Sequence, residues 1–316
     1  MKCVHTKPAI QSGNAQQTID DLVARYQTGE FAPKVGIHFD VPFADYQKWE
    51  ALNSSSLDRR SGHHTAARMR RETHKESKSL DLGRMAHTAI LEPDKFPLEY
   101  GVMQETNGRT KAAKEEKAAM MAIGKQPVSQ IDWDVVCKMR DAVTRHLNAS
   151  LLLSNCHREA SIAWKDPGTG VLCKARIDGI DTKADRIVDL KTALDASPES
   201  FAKSIVTYGY HRQLWWYCRG WSVLTDRFPE FVWIAVEKLS PFGVALYTPM
   251  PHMLGVGEQE ATESMRAYRD RDETEPCYGL DIQLISLPAW KLRQIEDSGQ
   301  LAAGAGYGLT IAGEPV

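Results

Sequence analysis

Between residues 159 and 191 the chain changes its hydrophobic period. Upstream, apolar residues recur at helical spacing; segments 159–164, 171–180 and 186–191 are instead short, β-branched or alternating, and are separated by Asp166-Pro167-Gly168 and by the polar run 181–185. Such segments joined by turn-forming residues predict an antiparallel meander. The third segment carries the main constraint, because Asp189-Leu190-Lys191 lies between Ile187-Val188 and Thr192-Ala193. Side chains alternate across a strand, so Asp189 and Lys191 share one face and Leu190 points to the other. Asp178, near the end of the second segment, can converge with Asp189 on one point. Charges on an otherwise apolar strand are costly to bury unless they are paired or bind a metal.

The remainder of the chain can supply the layers that such a sheet needs. Of 316 residues, 42% are hydrophobic and 25% charged, enough for a real core and unlike a disordered chain. With 39 Lys+Arg against 41 Asp+Glu the formal net charge is −2, which excludes a generally basic nucleic-acid coat but not a local basic groove. No window approaches the roughly 18 apolar residues of a membrane span, and the N-terminal sequence has no apolar signal core. The expectation is a protein without membrane association. Cys3, Cys137, Cys156, Cys173, Cys218 and Cys277 form no CxxC or CxxH, so a reduced, cytoplasmic setting is expected.

Along the chain, residues 1–40 read as an N-terminal arm, 41–295 as one domain and 296–316 as a flexible glycine-rich tail. Helical patterns are expected at 45–52, 80–93 (stopped by Pro93), 107–125, 131–152, 197–219, 258–271 and 288–297, and further strands at 231–238 and 243–248. Asn53-Ser54-Ser55-Ser56 is a candidate N-cap cluster. Two windows are basic. Residues 58–78 hold seven Lys/Arg, among them Arg59, Arg60, Arg68, Arg70 and Arg71, against three acids; residues 107–125 hold five, including Lys111 and Lys114, against two. Each is either a solvated helix face or a phosphate-contacting surface.

Carboxylate and carbonyl oxygens are the ligands that hard cations prefer, so Asp178, Asp189 and the backbone oxygen of Leu190 make a candidate site for Mg²⁺ or Mn²⁺. Lys191 beside it could orient or deprotonate a water attacking a phosphodiester. The spacing alone also fits an ordinary cross-strand salt bridge in a hairpin.

Three segments, SLDLGRMAHTAILEPDKF (79–96), CKARIDGID with IVDLKTALDASPESF (173–201) and YGYHRQLWWY (208–217), occur in an order and at separations that resemble the PD-(D/E)xK nuclease superfamily. Within it they resemble the RecE-type, exonuclease VIII-like enzymes of prophage recombination systems. The resemblance frames residues from about 50 to 250. It implies an α/β restriction-endonuclease-like core, a central mixed or antiparallel sheet flanked by helices. It also implies that Asp178 and Asp189 hold two Mg²⁺ ions, that Lys191 is the catalytic lysine, and that His87 is a metal-associated histidine. Glu159 would complete the second metal position, with Glu199 and Asp181 as alternatives; Gln213 and Tyr217 match a QxxxY motif that positions the DNA end. Ile177 stands where many members have proline, and Asp181 competes with Asp178, although residues three apart on a strand face opposite ways.

The activity so implied is a 5′-to-3′ exonuclease on linear double-stranded DNA, leaving 3′ tails for a RecT-like annealing protein. It implies a trimeric or tetrameric ring in the cytoplasm of a bacterial host cell. Competing readings are a CRISPR-adaptation or AddB-like nuclease, for which the cysteines are unsuitably placed to hold an iron–sulfur cluster; an endonuclease; and an inactive nuclease-fold scaffold that recruits a recombinase. Trp215, Trp216 and Trp221 read as core or interface aromatics, with base stacking as a further possibility.

Overall fold

The alternating segments form the centre of a six-stranded sheet in the computed structural model, which describes residues 33–57, 78–105, 107–270, 282, 285–297, 310–311 and 314–315. Strands β4 (His157–Lys165), β5 (Leu172–Asp181) and β6 (Arg186–Ala193) are consecutive antiparallel neighbours, as expected. Helices α7 (Pro198–Tyr208) and α8 (Tyr210–Thr225) then carry the chain over to β7 (Glu230–Glu237), which pairs with β6 in parallel. Strand β8 (Val244–Tyr247) closes one edge. The other edge is β1 (Gly36–His38), antiparallel to β4, so the sheet order is β1-β4-β5-β6-β7-β8 and the sheet is mixed.

Each face of this sheet buries its own apolar layer. On one side Ile162, Trp164, Ile177 and Ile187 meet Leu214, Trp216 and Trp221 of α8 and Met265 of α9 (Pro251–Arg269). On the other, Val188, Leu190, Ile234 and Val236 meet Met85 and Ala89 of α2 (Lys78–Leu91) and Val136, Met139 and Val143 of α5 (Gln130–Arg145). Helix α6 (Leu147–Ser154) adds Ala149 and Leu153 to that layer. Short elements complete the unit: α1 (Phe43–Lys48), α3 (Phe96–Glu99), α4 (Lys111–Ala122) and a parallel pair of β2 (Tyr100–Val102) with β3 (Gln126–Val128).

Several expected elements differ, each for a local reason. The helix expected over 131–152 is two, because His146 leaves the helical region and its Nδ1 accepts the Ala149 N–H as a new N-cap. The helix expected over 197–219 breaks at Gly209, whose φ of 69° favours a residue without a Cβ. Helix α9 begins seven residues earlier than expected, since Pro251 at its first turn needs no N–H partner. The stretch read as an arm contains β1, and its connection to the sheet is fastened by Lys174, a buried lysine on β5. The Lys174 ammonium donates to the carbonyls of Tyr46 (3.0 Å) and Trp49 (2.6 Å), while burial lowers its pKa. The serine cluster forms a single 3-10 turn, Ser54–Ser56.

The chain divides into two compact units, 1–277 and 278–316, a boundary ahead of the one expected at 296. In the second, α10 (Ala289–Asp297) forms where a helix is expected, and β9 (Thr310–Ile311) pairs with β10 (Glu314–Pro315) inside the stretch read as a loose tail.

Helices α8 and α9 cross closely enough that glycine is required at one position only. A Cβ at Gly257 would stand 2.2 Å from the His211 carbonyl oxygen, whereas one at Gly255, on the same helix, meets nothing within 4 Å. Alanine gains up to about 1 kcal/mol over glycine in a helix interior, and overpacking costs about 1–3 kcal/mol or more. Urea unfolding should therefore find Gly255→Ala neutral or more stable and Gly257→Ala less stable by about 1–3 kcal/mol; equal behaviour of the two would contradict the crossing.

Candidate active site

The strand registers place three carboxylates in one transverse row. The pairs Arg158↔Gly179 and Ala160↔Ile177 bracket Glu159 opposite Asp178, and continuing from Gly179↔Val188 sets Asp178 opposite Asp189. Like charges on facing strand positions repel, and the backbone gives way on both sides of Asp178. Glu159 adopts φ 53°, rare for a residue with a side chain. The β5–β6 ladder ends at Gly179↔Val188, and Asp178 Oδ2 instead accepts the Leu190 N–H at 2.8 Å. A carboxylate thus takes a backbone donor at the point where two strands part.

Helix α2 brings His87 to this gap, its Nδ1 3.7 Å from Asp178 Oδ2. His87, Glu159 and Asp178 each offer one ligand atom, and these atoms lie within 4.8 Å of one another. Asp189 is fully buried. Lys191 Nζ stands 2.6 Å from its Oδ2 as a short ion pair, and Asp189 Oδ1 has no hydrogen-bond partner among the described residues. Leu190, between them, lies in the apolar layer on the α2 side, whereas Lys191 faces the ring of Tyr210 on α8 at 4.7 Å. Arg176 pairs with Glu159 and donates to the Val41 carbonyl at 2.7 Å.

The protonation equilibria record this crowding. Burial pushes Asp189 up to about 6, with Lys191 opposing and Asp178 adding to the rise. Burial likewise raises Asp178, and burial with the Asp178 charge raises Glu159. His87 is lowered, first by burial and then by the Lys191 charge. For Lys191, burial works against the charge, but Asp189 and Asp178 outweigh it and hold the ammonium above its ordinary value. A buried carboxylate with one unpartnered oxygen, beside a histidine and two more carboxylates, fits a hard divalent cation, because the donor set is oxygen-rich and hydrogen bonds leave Asp189 Oδ1 unsatisfied.

The other predicted residues are distributed as follows. Gln213 Nε2 donates to the Tyr217 hydroxyl (2.7 Å), which donates to the Arg176 carbonyl (2.9 Å), so this pair ties α8 to β5 two residues before Asp178. Burial raises Tyr217 well above its usual pKa, and Asp189 and Asp178 add to it. Asp181 lies at the β5–β6 turn, where its Oδ1 accepts the N–H groups of Lys183 and Ala184, and Glu199 lies in the first turn of α7. Trp215, Trp216 and Trp221 are buried in the core, which removes them as stacking surfaces. Lys111 and Lys114 are exposed on α4, Lys111 3.6 Å from Glu115. Arg59, Arg60, Arg68, Arg70 and Arg71 lie outside the described residues. The sequence reading missed Arg176, whose position two residues before Asp178, hence on the same strand face, is the signal that could have identified it.

Comparison with solved structures finds a protein provisionally named an exonuclease from Eubacterium rectale, at 13% identity and a TM-score of 0.49, covering 75% of this chain and 91% of that one. A phage-related exonuclease from Haemophilus somnus 129PT aligns at 11% identity and a TM-score of 0.24, covering 64% of this chain and 96% of that one. No curated protein sequence matches. A family model does match, over residues 53–279, a span that includes His87, Glu159, Asp178, Asp189, Lys191, Gln213 and Tyr217. With its mixed sheet, its flanking helices and its acidic cluster where two strands part, the chain belongs to the family described as PDDEXK-like domain of unknown function (DUF3799).

Proposed function

We propose that this protein is a metal-dependent exodeoxyribonuclease that hydrolyses phosphodiesters at the ends of linear duplex DNA. The observation that carries the reading is the buried Asp189, paired through Oδ2 with Lys191 and with Oδ1 unpartnered among the described residues, one strand away from the His87, Glu159 and Asp178 cluster. His87, Glu159, Asp178, Asp189 and the Leu190 carbonyl would hold Mg²⁺, with Mn²⁺ as a substitute and two ions the expected number. A divalent cation there supplies charge neutralisation at a phosphate and a lowered pKa for bound water.

The residues of the chain divide the rest of the work. Lys191, paired with Asp189 in the metal-free site, would orient or deprotonate the attacking water, or donate to a non-bridging phosphate oxygen, once a metal recruits that carboxylate. Tyr217 and Gln213 fix β5 against α8 and thereby set the position of Asp178. The exposed cations Lys111 and Lys114, with the arginines of 58–78, supply phosphate contacts. In the reading that follows the RecE-type resemblance, degradation runs 5′ to 3′ and leaves 3′ tails. A RecT-like annealing protein takes up the product, and the enzyme is a trimeric or tetrameric ring in the bacterial cytoplasm. None of the described helices is long and apolar enough to cross a membrane.

Purified protein should degrade linear duplex in Mg²⁺ and leave closed circles intact, with no loss in EDTA. Lys191→Ala should reduce the rate at least about 100-fold, within the range for removing a positioned proton-transfer or donor group. Nicked circles would sink the exonuclease reading, and binding without cleavage in Mg²⁺ would favour a scaffold.

Metal affinity should depend on pH in a defined direction. A carboxyl raised in the folded state to about 6 makes the metal-free fold lose stability as pH rises from about 4 to about 6, and above that range Asp189 is a free carboxylate. Calorimetric Mg²⁺ binding should be strongest above pH 7 and weaken as protons compete through about pH 6. Asp189→Asn should bind Mg²⁺ at least about tenfold more weakly with its circular dichroism unchanged; wild-type affinity in that variant would exclude Asp189 as a ligand.

A further inference from the structure

Lys191 is covered on one side by aromatic rings that continue outward to solvent. The Tyr210 ring lies 4.7 Å from the ammonium, and the Tyr208 ring is stacked on Tyr210 with centroids 5.6 Å apart and planes 29° apart. Inward, Tyr210 meets Phe201 (6.2 Å), which stacks on Tyr247 (4.9 Å), whose hydroxyl donates to the Ala196 carbonyl. Phe201 is buried, and Tyr208, the last ring of the series, is 66% exposed. The two tyrosines sit on either side of Gly209, the left-handed residue that separates α7 from α8.

A single exposed aromatic normally requires no explanation. Here three observations distinguish it. The ring is held by a buried aromatic series, its neighbour in the stack is in contact with Lys191, and its own surface is 66% exposed with no aromatic ring but Tyr210 against it among the described residues. The hinge that places it is also specific: a Cβ at Gly209 would fall 2.5 Å from the Arg212 guanidinium, which itself donates to the Leu57 carbonyl and pairs with Glu260. A planar ligand one ring away from a nuclease lysine is a nucleobase, and any base has a π-face to offer.

We infer that Tyr208, backed by Tyr210, is a stacking platform for the nucleobase next to the scissile phosphate, a positioning element that acts without reading sequence. The inference rests on the reading of this site as one that takes nucleic acid. Base–aromatic stacking predicts roughly a 5- to 150-fold effect on affinity.

The test uses the full-length protein and oligonucleotide duplexes with 2-aminopurine at the terminal position of one or the other strand, in EDTA so that no cleavage occurs. Wild type and Tyr208→Trp should quench the fluorescence of one of these probes, and Tyr208→Ala should not. In Mg²⁺, an abasic terminal nucleotide should raise the wild-type KM, and Tyr208→Ala should raise it by a similar factor. The two changes together should do no more than either alone, because they remove the same contact. Full quenching by Tyr208→Ala, additive effects, or a Trp variant as impaired as the Ala variant would each overturn the platform. Wild-type cleavage with these results would leave the nuclease reading standing; quenching by Tyr208 without cleavage in Mg²⁺ would overturn the nuclease reading and keep the platform.

Discussion

Repulsion among Glu159, Asp178 and Asp189 is the constraint to which the rest of the site answers. Three adjacent strands bring these carboxylates side by side where the β4–β5 ladder skips the Glu159 and Asp178 pair and the β5–β6 ladder ends before Asp178 and Asp189, and a sheet cannot hold three like charges in one row at ladder spacing without compensation. The compensation is visible at each member. Glu159 turns to positive φ and takes Arg176; Asp178 takes the Leu190 N–H; Asp189 takes Lys191. Of the three, Asp189 is the most buried, and its Oδ1 has no partner among the described residues. A bound cation would relieve that residue most, which is why the metal reading and the strand geometry lead to the same place.

Much of this was legible beforehand because strand alternation is a strong rule. Asp189 and Lys191 on one face with Leu190 on the other followed from period alone, and Leu190 lies in the opposite apolar layer. Alternation also set Asp178 and Asp181 on opposite faces, so that they would not serve together, and the structure gives Asp181 separate employment as the cap of the β5–β6 turn. What sequence could not reveal were interactions set by chain reversal and register. The positive φ of Glu159 answers a register that no local pattern encodes. The helix breaks at His146 and Gly209 depend on a side-chain cap and on a left-handed residue, and both are invisible to a count of apolar spacing. Strand β1 is three residues long, and its pairing partner lies more than a hundred positions away.

The cations of the site fall into two kinds with different consequences. Lys174 is buried against backbone carbonyls and has no carboxylate partner among the described residues, so its charge is spent on fastening the segment before the sheet. Lys191 and Arg176 face carboxylates that would be recruited by a metal, so their present partners are exchangeable. A lysine fixed to carbonyls can hold a fold together; a lysine paired to a ligand carboxylate can be handed to a phosphate or a water when that carboxylate changes partner. The distinction separates Lys174, fixed to backbone carbonyls, from Lys191, paired to a carboxylate, although both are buried on adjacent strands of one sheet.

The gap between β5 and β6 raises a structural question of its own: with the ladder ended at Gly179↔Val188, the Leu190 N–H to Asp178 carboxylate bond replaces backbone–backbone pairing at the site. Helix α8 supplies the missing restraint. Trp216 donates to the Lys174 carbonyl and Tyr217 to the Arg176 carbonyl, both on β5, while Tyr210 at the start of the same helix covers Lys191 on β6. A rigid helix that grips one strand through two hydrogen bonds and the other through an ammonium–ring contact holds the opening at a set width. The Gln213 and Tyr217 pair, expected from the resemblance to position the DNA end and the scissile phosphate, spends its hydrogen bonds on the protein in this same brace: a site built where a sheet comes apart needs one.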